Sequence, residues 1–164
     1  MTPDVLIPRL ETECLVRRAR RIIQEQNIKT VIDIGSGSGI IGTSIADLVD
    51  EVIFLDISPK ALAITEKNFR THFPNTKAQF IVSDLLSDLP SLLGEGLGVR
   101  CLFLTNLPYI KDADWKNMSE DTIHEPKLAL FGGEKTGFEL YEKLFSQFSA
   151  LAPLLRGDQG GLDK

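Results

Sequence analysis

The chain has 164 residues, 43% hydrophobic and 25% charged, the proportions of an ordinary globular domain large enough for a real core. Its net charge of −5 and pI near 5.1 argue against the broad basic surface that a nucleic-acid binder presents, so direct nucleic-acid binding is not expected. No apolar run approaches the ~18 residues that a membrane span requires.

The predicted elements begin with a helix carrying Leu15, Ala19, Ile22 and Ile23 at helical spacing. Arg17, Arg18, Arg20 and Arg21 fall on its other, solvated face. Thr30–Ile34 is a short β-branched run and reads as a strand. Gly35, Gly37 and Gly39 follow at once, and Ile40 to Asp50 then has helical composition, with Ile41, Ile45 and Leu48 on one stripe. Strand, glycine loop and helix make the first half of a βαβ unit, whose glycines allow a ligand to approach the backbone closely. The spacing is GxGxG, with Ile40 where a dinucleotide fingerprint has its third glycine. Val52–Leu55 forms a second strand ending at Asp56, where an acid can bind both hydroxyls of a ribose. Ser58 and Pro59 read as N-cap and first residue of a helix reaching about Phe73. Ala78–Val82 is a third strand followed by Ser83, Asp84 and Leu85. Asp84 can accept an adenine amino group, or simply cap the next turn.

Arg100–Thr105 is a fourth apolar strand, giving the expected sheet order 3-2-1-4 and placing Asn106 on the rim of the glycine loop. Asn106 offers a side-chain oxygen. Pro108 pushes Leu107 into an extended conformation, which is expected to aim the Leu107 carbonyl outward as a second acceptor. Two acceptors can hold both hydrogens of an NH₂ group, with Tyr109 stacked beside a planar substrate. Lys111–Gly137 lacks sustained periodicity and reads as a loop, either over the substrate or as packing. Phe138, Tyr141, Leu144, Phe145, Phe148 and Leu151 form a helical stripe expected in the core. Cys14 and Cys101 form no CxxC pattern, His72 and His124 are isolated, and no metal site is expected. Two distant cysteines without a signal peptide fit a cytoplasmic protein.

Asp33–Gly39, Asp56, Asp84 and Asn106–Tyr109 together resemble the class I S-adenosylmethionine (AdoMet) methyltransferases that act on planar nitrogens. Val5-Leu6-Ile7-Pro8-Arg9-Leu10-Glu11-Thr12-Glu13 resembles the "PRPETE" motif of the protein-glutamine N5-methyltransferases (the HemK/PrmC family), with Leu10 where proline is usual. Glu125-Pro126, Leu128-Ala129-Leu130-Phe131-Gly132-Gly133-Glu134, Gly137 and Tyr141 are similar to a second segment of that family. The resemblance runs from about Val5 to Leu155, with Leu107 replacing the first of two prolines in the tetrapeptide. It implies a Rossmann-like α/β fold, mostly parallel with helices on both faces and truncated after the fourth strand and its helix. Residues 1–29 would be the N-terminal motif and first helix, 30–110 the AdoMet-binding core and catalytic turn, 111–137 a substrate-covering loop and 138–164 a helix and truncated end. It further implies a cofactor set of Asp33, Gly35, Ser36, Gly37, Gly39, Asp56, Ile57, Asp84, Leu85 and Asn106, and a catalytic set of Asn106, Leu107, Pro108 and Tyr109. The implied reaction is N5-methylation of a glutamine in a protein, the Gly-Gly-Gln loop of a peptide-chain release factor foremost. The spelling Asn-Leu-Pro-Tyr also resembles the rRNA adenine dimethyltransferases, so an adenine-N6 methyltransferase is the alternative, and an inactive AdoMet-binding fragment a third. Truncation would leave the fourth strand as an exposed edge, open to a missing segment or another copy.

Overall fold

The computed structural model describes residues 5–6, 9–90, 100–118 and 125–155. The truncated end expected at 156–164, Ile7 and Pro8 of the N-terminal motif, and 119–124 of the expected loop lie outside the described residues. Strands β1 (Thr30–Ile34), β2 (Glu51–Asp56), β3 (Lys77–Val82) and β4 (Cys101–Thr105) form one parallel sheet in the order β3-β2-β1-β4, as the chain order predicts. Both faces are covered, which is why these strands read as apolar runs rather than as alternating ones.

On one face, Val31, Val52 and Phe54 pack against Ala19 and Ile23 of helix α1 (Leu10–Gln26). Leu62 and Phe69 of helix α3 (Pro59–His72) complete that layer. Phe54 stacks on Phe80 and meets Phe69 edge-on, both at 5.2 Å between ring centroids. The Arg70 guanidinium covers Phe69 and Phe80. On the other face, Ile32, Ile34, Ile53 and Leu55 meet Leu144 and Leu151 of helix α4 (Glu139–Leu155). Ser58 caps α3 through the Ala61 amide at 3.3 Å, with Pro59 at the first turn. Among the described residues, no helix is long and apolar enough to cross a membrane.

Three expectations are corrected. The helix after the glycine loop does not run to Asp50: α2 spans only Ile40–Thr43, and a 3₁₀ turn over Ala46–Leu48 replaces its continuation. Arg20 braces the break, where Ile45 leaves helical backbone at φ −121°. Its Nη1 donates to the Ser44 carbonyl at 2.7 Å, the position a continuous helix would offer the Leu48 amide, and that amide bonds the Ile45 carbonyl instead. The same guanidinium grips Asp47 with two hydrogen bonds, so Arg20 is structural, whereas Arg17, Arg18 and Arg21 are exposed. Second, the expected core stripe on α4 is split: Phe138 and Phe145 are exposed, because the stripe is wider than the surface the sheet offers it. Third, the described parts of 111–137 are not a featureless loop. Strands β5 (Ile110–Lys111) and β6 (Phe131–Gly133) form a short parallel ladder, with 3₁₀ turns at Asp112–Asn117 and Lys127–Ala129. Trp115 lies against Phe131, and the Lys127 ammonium sits 4.5 Å from the centre of its ring.

Candidate active site

The carboxyl ends of all four strands share one rim, where open parallel sheets bind ligands. The glycine loop is built on left-handed backbone at Gly35, Gly37 and Gly39, conformations that side-chain-bearing residues rarely adopt. Two backbone bonds anchor it: the Gly35 and Ser36 amides donate to the Leu55 carbonyl at 2.8 and 3.1 Å. The Asp56 carboxylate holds it from the side, accepting from the Gly37 amide at 2.8 Å and the Ser58 amide at 2.9 Å. A Cβ on Gly37 would meet nothing within 4 Å; the space beside it is the cavity. A Cβ on Gly35 would lie 2.8 Å from Leu107 Cδ2, so the loop rests directly on the tetrapeptide.

Gly35, Ser36, Gly37, Asp56, Ile57, Asp84, Leu85 and Asn106 all line one cavity, together with Leu107 and Pro108. Two of the expected residues are absent from its walls. Gly39 is a packing glycine, since a Cβ there would come 2.6 Å from the Thr65 side chain. Asp33 lies under the loop and is fully buried. A second, adjoining cavity is lined by Tyr109, Ile110 and Met118, and it shares Leu6, Thr12, Asn106, Leu107, Pro108 and Ala129 with the first. Asn106, Leu107 and Pro108 thus form part of the wall common to the two chambers, with the glycine loop in one and Tyr109 in the other. Asn106 is exposed, and its side chain makes no hydrogen bond among the described residues. The Leu107 carbonyl departs from expectation: it accepts from the Tyr141 hydroxyl at 3.1 Å, so one of its two lone-pair directions is already engaged.

The profile of the methyltransferase small domain family matches residues 12–93, half of the chain. The chain belongs to that family. A curated relative from Borreliella burgdorferi, named release factor glutamine methyltransferase, is 37% identical over 90% of this chain and 49% of its own length. A protein of the same name from Moorella thermoacetica is 34% identical over 99% of this chain and 54% of its own. The chain therefore spans about half the length of the curated relatives it matches. Among solved structures, the N-terminal domain of human METTL16 in complex with SAH superposes with a TM-score of 0.56 at 15% identity, covering 92% of this chain and 55% of that one; the likeness is one of fold.

Within this methyltransferase domain, helix α4 supplies contacts that sequence reasoning missed. Lys143 pairs with the Asp84 carboxylate. Gln147 brackets the same turn, donating to the Asp84 carbonyl at 3.1 Å and accepting from the Leu86 amide at 2.8 Å. Those bonds hold Leu85 in left-handed backbone at φ 59°, which costs roughly 1–2 kcal/mol for a side-chain-bearing residue. The two flanking motifs meet across 116 residues: Arg9 Nη2 lies 2.6 Å from Glu125 Oε2, whose side chain is 5% exposed. Leu6 and Pro126, beside that pair, both line the first cavity. Glu139 closes the loop end by accepting from the Thr136 and Lys135 amides, Thr136 contributing most to holding its pKa down at about 2. Of these residues Leu6, Arg9, Glu125 and Pro126 carried a sequence signal, as did Tyr141, through the resemblance of their segments; Lys143 and Gln147 lie 59 or more residues from their partners, and Glu139 acts through backbone.

Asp33 gives the domain a pH dependence. Its Oδ2 accepts from the Gly42 amide at 2.9 Å, which starts α2, while Oδ1 is buried with no partner among the described residues. Burial pushes its pKa up to about 7, the Gly42 bond opposing and the nearby Asp56 charge adding to the rise. Below about pH 4 the carboxyl is protonated in both folded and unfolded chains. Between there and pH 7 only the unfolded chain releases the proton, so stability falls by an amount on the order of 4 kcal/mol, and no further loss from this group follows above that range. Asp33→Asn keeps the Gly42 acceptor and removes the ionisation, although its NH₂ would be buried unpaired at roughly 1–3 kcal/mol. The variant should therefore melt below the parent at pH 4.5 and above it at pH 8. Parallel melting curves across that range would mean that Asp33 is not held protonated.

Proposed function

We propose that the protein to which this chain belongs transfers a methyl group from AdoMet to the side-chain nitrogen of a glutamine in a protein, the Gly-Gly-Gln loop of a peptide-chain release factor. The observation that carries this reading is the shared wall: Asn106, Leu107 and Pro108 separate a glycine-loop cavity from a cleft walled by Tyr109. One chamber suits the donor and the other the acceptor. The names of the curated relatives supply the acceptor's identity. A chain of net charge −5 also suits a protein acceptor better than a polyanion.

AdoMet fits the residues present. Asp56 spends one lone pair of each oxygen on loop amides and retains others for the two ribose hydroxyls. Ile57, half exposed beside it, and Leu85 offer apolar surface for a purine. Space is open beside Gly37, where any side chain would intrude. The sulfonium supplies a methyl group of high electrophilicity.

The protein's part is positioning. An amide nitrogen is a poor nucleophile because its lone pair is delocalised, so the geometry of approach decides the rate. Asn106 Oδ1 takes one N–H, and the remaining lone pair of the Leu107 carbonyl takes the other. Both oxygens also face the positive charge that develops on nitrogen before it sheds a proton to water. Tyr109 forms the side of the acceptor cleft. The test is incorporation of labelled methyl into a release factor and into its Gln→Ala loop variant, using the full-length protein. Label should enter the first protein only. Equal labelling of both, or labelling of RNA alone, would overturn the reading.

A further inference from the structure

We infer that Tyr141 is a positioning residue for this transfer, fixing the plane of the Leu107–Pro108 peptide so that the Leu107 carbonyl faces the acceptor nitrogen; the inference rests on the glutamine reading above. Proline has no N–H, so this peptide unit has a single polar handle, the Leu107 oxygen. In an ordinary peptide the amide on the other side would also be bonded and would resist rotation. Here the Tyr141 hydroxyl, donating from α4 at 3.1 Å, holds the oxygen alone.

The neighbours hold the turn's ends and leave that plane to the phenol. Leu107 is buried with its side chain against Gly35, which fixes its Cα. The Ile110 amide donates to the Leu130 carbonyl at 3.1 Å, which fixes the chain beyond Tyr109. The phenol is itself held: Tyr141 packs against the second core cluster, and its ring centroid lies 6.1 Å from that of Phe138. Burial pushes its pKa up, the Leu107 bond opposing, so the hydroxyl remains a donor throughout the neutral range. A donor on one lone pair leaves the other free for the acceptor nitrogen, in a residue that lines the acceptor chamber. The two substrate acceptors therefore differ in kind. Asn106 swings on its own side-chain torsions, whereas the Leu107 oxygen is set in advance.

Tyr141→Phe keeps the ring and removes only the hydroxyl. In the full-length protein, kcat should fall roughly 10- to 100-fold, the scale expected when a reacting group is misplaced by about 1 Å. KM for the release factor and Kd for AdoMet should each stay within about threefold, since binding surfaces are untouched. A kcat within twofold of the parent, with the parent active on glutamine, would overturn the positioning role and leave the function standing. A fall in kcat matched by equal losses in AdoMet affinity and melting temperature would reduce Tyr141 to a structural residue. A parent that fails to label the release factor overturns the function first, and this role with it. A measurement free of the variant is the infrared band of a ¹³C-labelled Leu107 carbonyl in the parent. It should show the lowered frequency of a hydrogen-bonded carbonyl, and an unbonded frequency would also overturn the assignment.

Discussion

Asn106→Ala should lower methyl transfer about 10²- to 10³-fold, the usual cost of deleting one hydrogen-bonding group that meets charge developing in a transition state. The residue stands exposed at the end of β4 with no side-chain hydrogen bond among the described residues, so nothing in the fold depends on its amide. Its backbone position is set independently, because the Thr105 hydroxyl donates to the Ile34 carbonyl at 2.9 Å and ties the end of β4 to β1. The loss is therefore chemical. One amide hydrogen of the glutamine would have no partner, and the nitrogen would no longer face the methyl group in line. AdoMet affinity should change little, because the residues proposed for the ribose and base, Asp56, Ile57 and Leu85, lie at the end of β2 and beyond β3. Single-turnover transfer with labelled cofactor, beside calorimetry of cofactor binding, reads both quantities. Transfer within threefold of the parent would remove Asn106 from the acceptor set.

The second large effect is predicted for Gly132→Ala. A Cβ at this position would overlap the Gly137 carbonyl oxygen and approach the Pro108 carbonyl oxygen to 2.5 Å. Both obstacles are backbone, so no side-chain rotation relieves them, and a shift must pass into the tetrapeptide itself. Overpacking of this kind typically costs 1–3 kcal/mol, and about 3 is expected where backbone must move. Gly37→Ala is the matched control. It meets nothing within 4 Å and bears only the cost of its left-handed backbone, about 1 kcal/mol. Denaturant unfolding of both variants separates the two cases. Equal stabilities would mean that β6 is not seated against the Asn106–Tyr109 turn as described.

How much of this was legible in the chain depended on the range of the contact. The four strands and their order could be read because a doubly covered parallel sheet writes itself as apolar runs ending at rim residues, Asp56 and Asn106 among them. The lining of the first cavity could be read in part, since Gly35, Gly37, Asp56, Asp84 and Asn106 follow strand ends or close them. Asp33 misled because its place in the motif looks the same whether it points into the cavity or beneath it. The β5–β6 ladder escaped because strands of two and three residues have no period to detect; Gly132 and Gly137 permit it by letting backbones close together. The contacts of α4 escaped for another reason. Lys143 with Asp84, and Tyr141 with Leu107, are single long-range pairs that leave no trace in spacing.

The shared wall of the two chambers carries a stereochemical consequence. Donor and acceptor of the proposed reaction would lie on the protein together in adjoining cavities that share Asn106, Leu107 and Pro108, so the methyl group need never rest on a protein atom. Under the proposed reaction it passes in one displacement from sulfur to nitrogen. A methyl group made chiral with hydrogen isotopes would then arrive on glutamine with its handedness reversed.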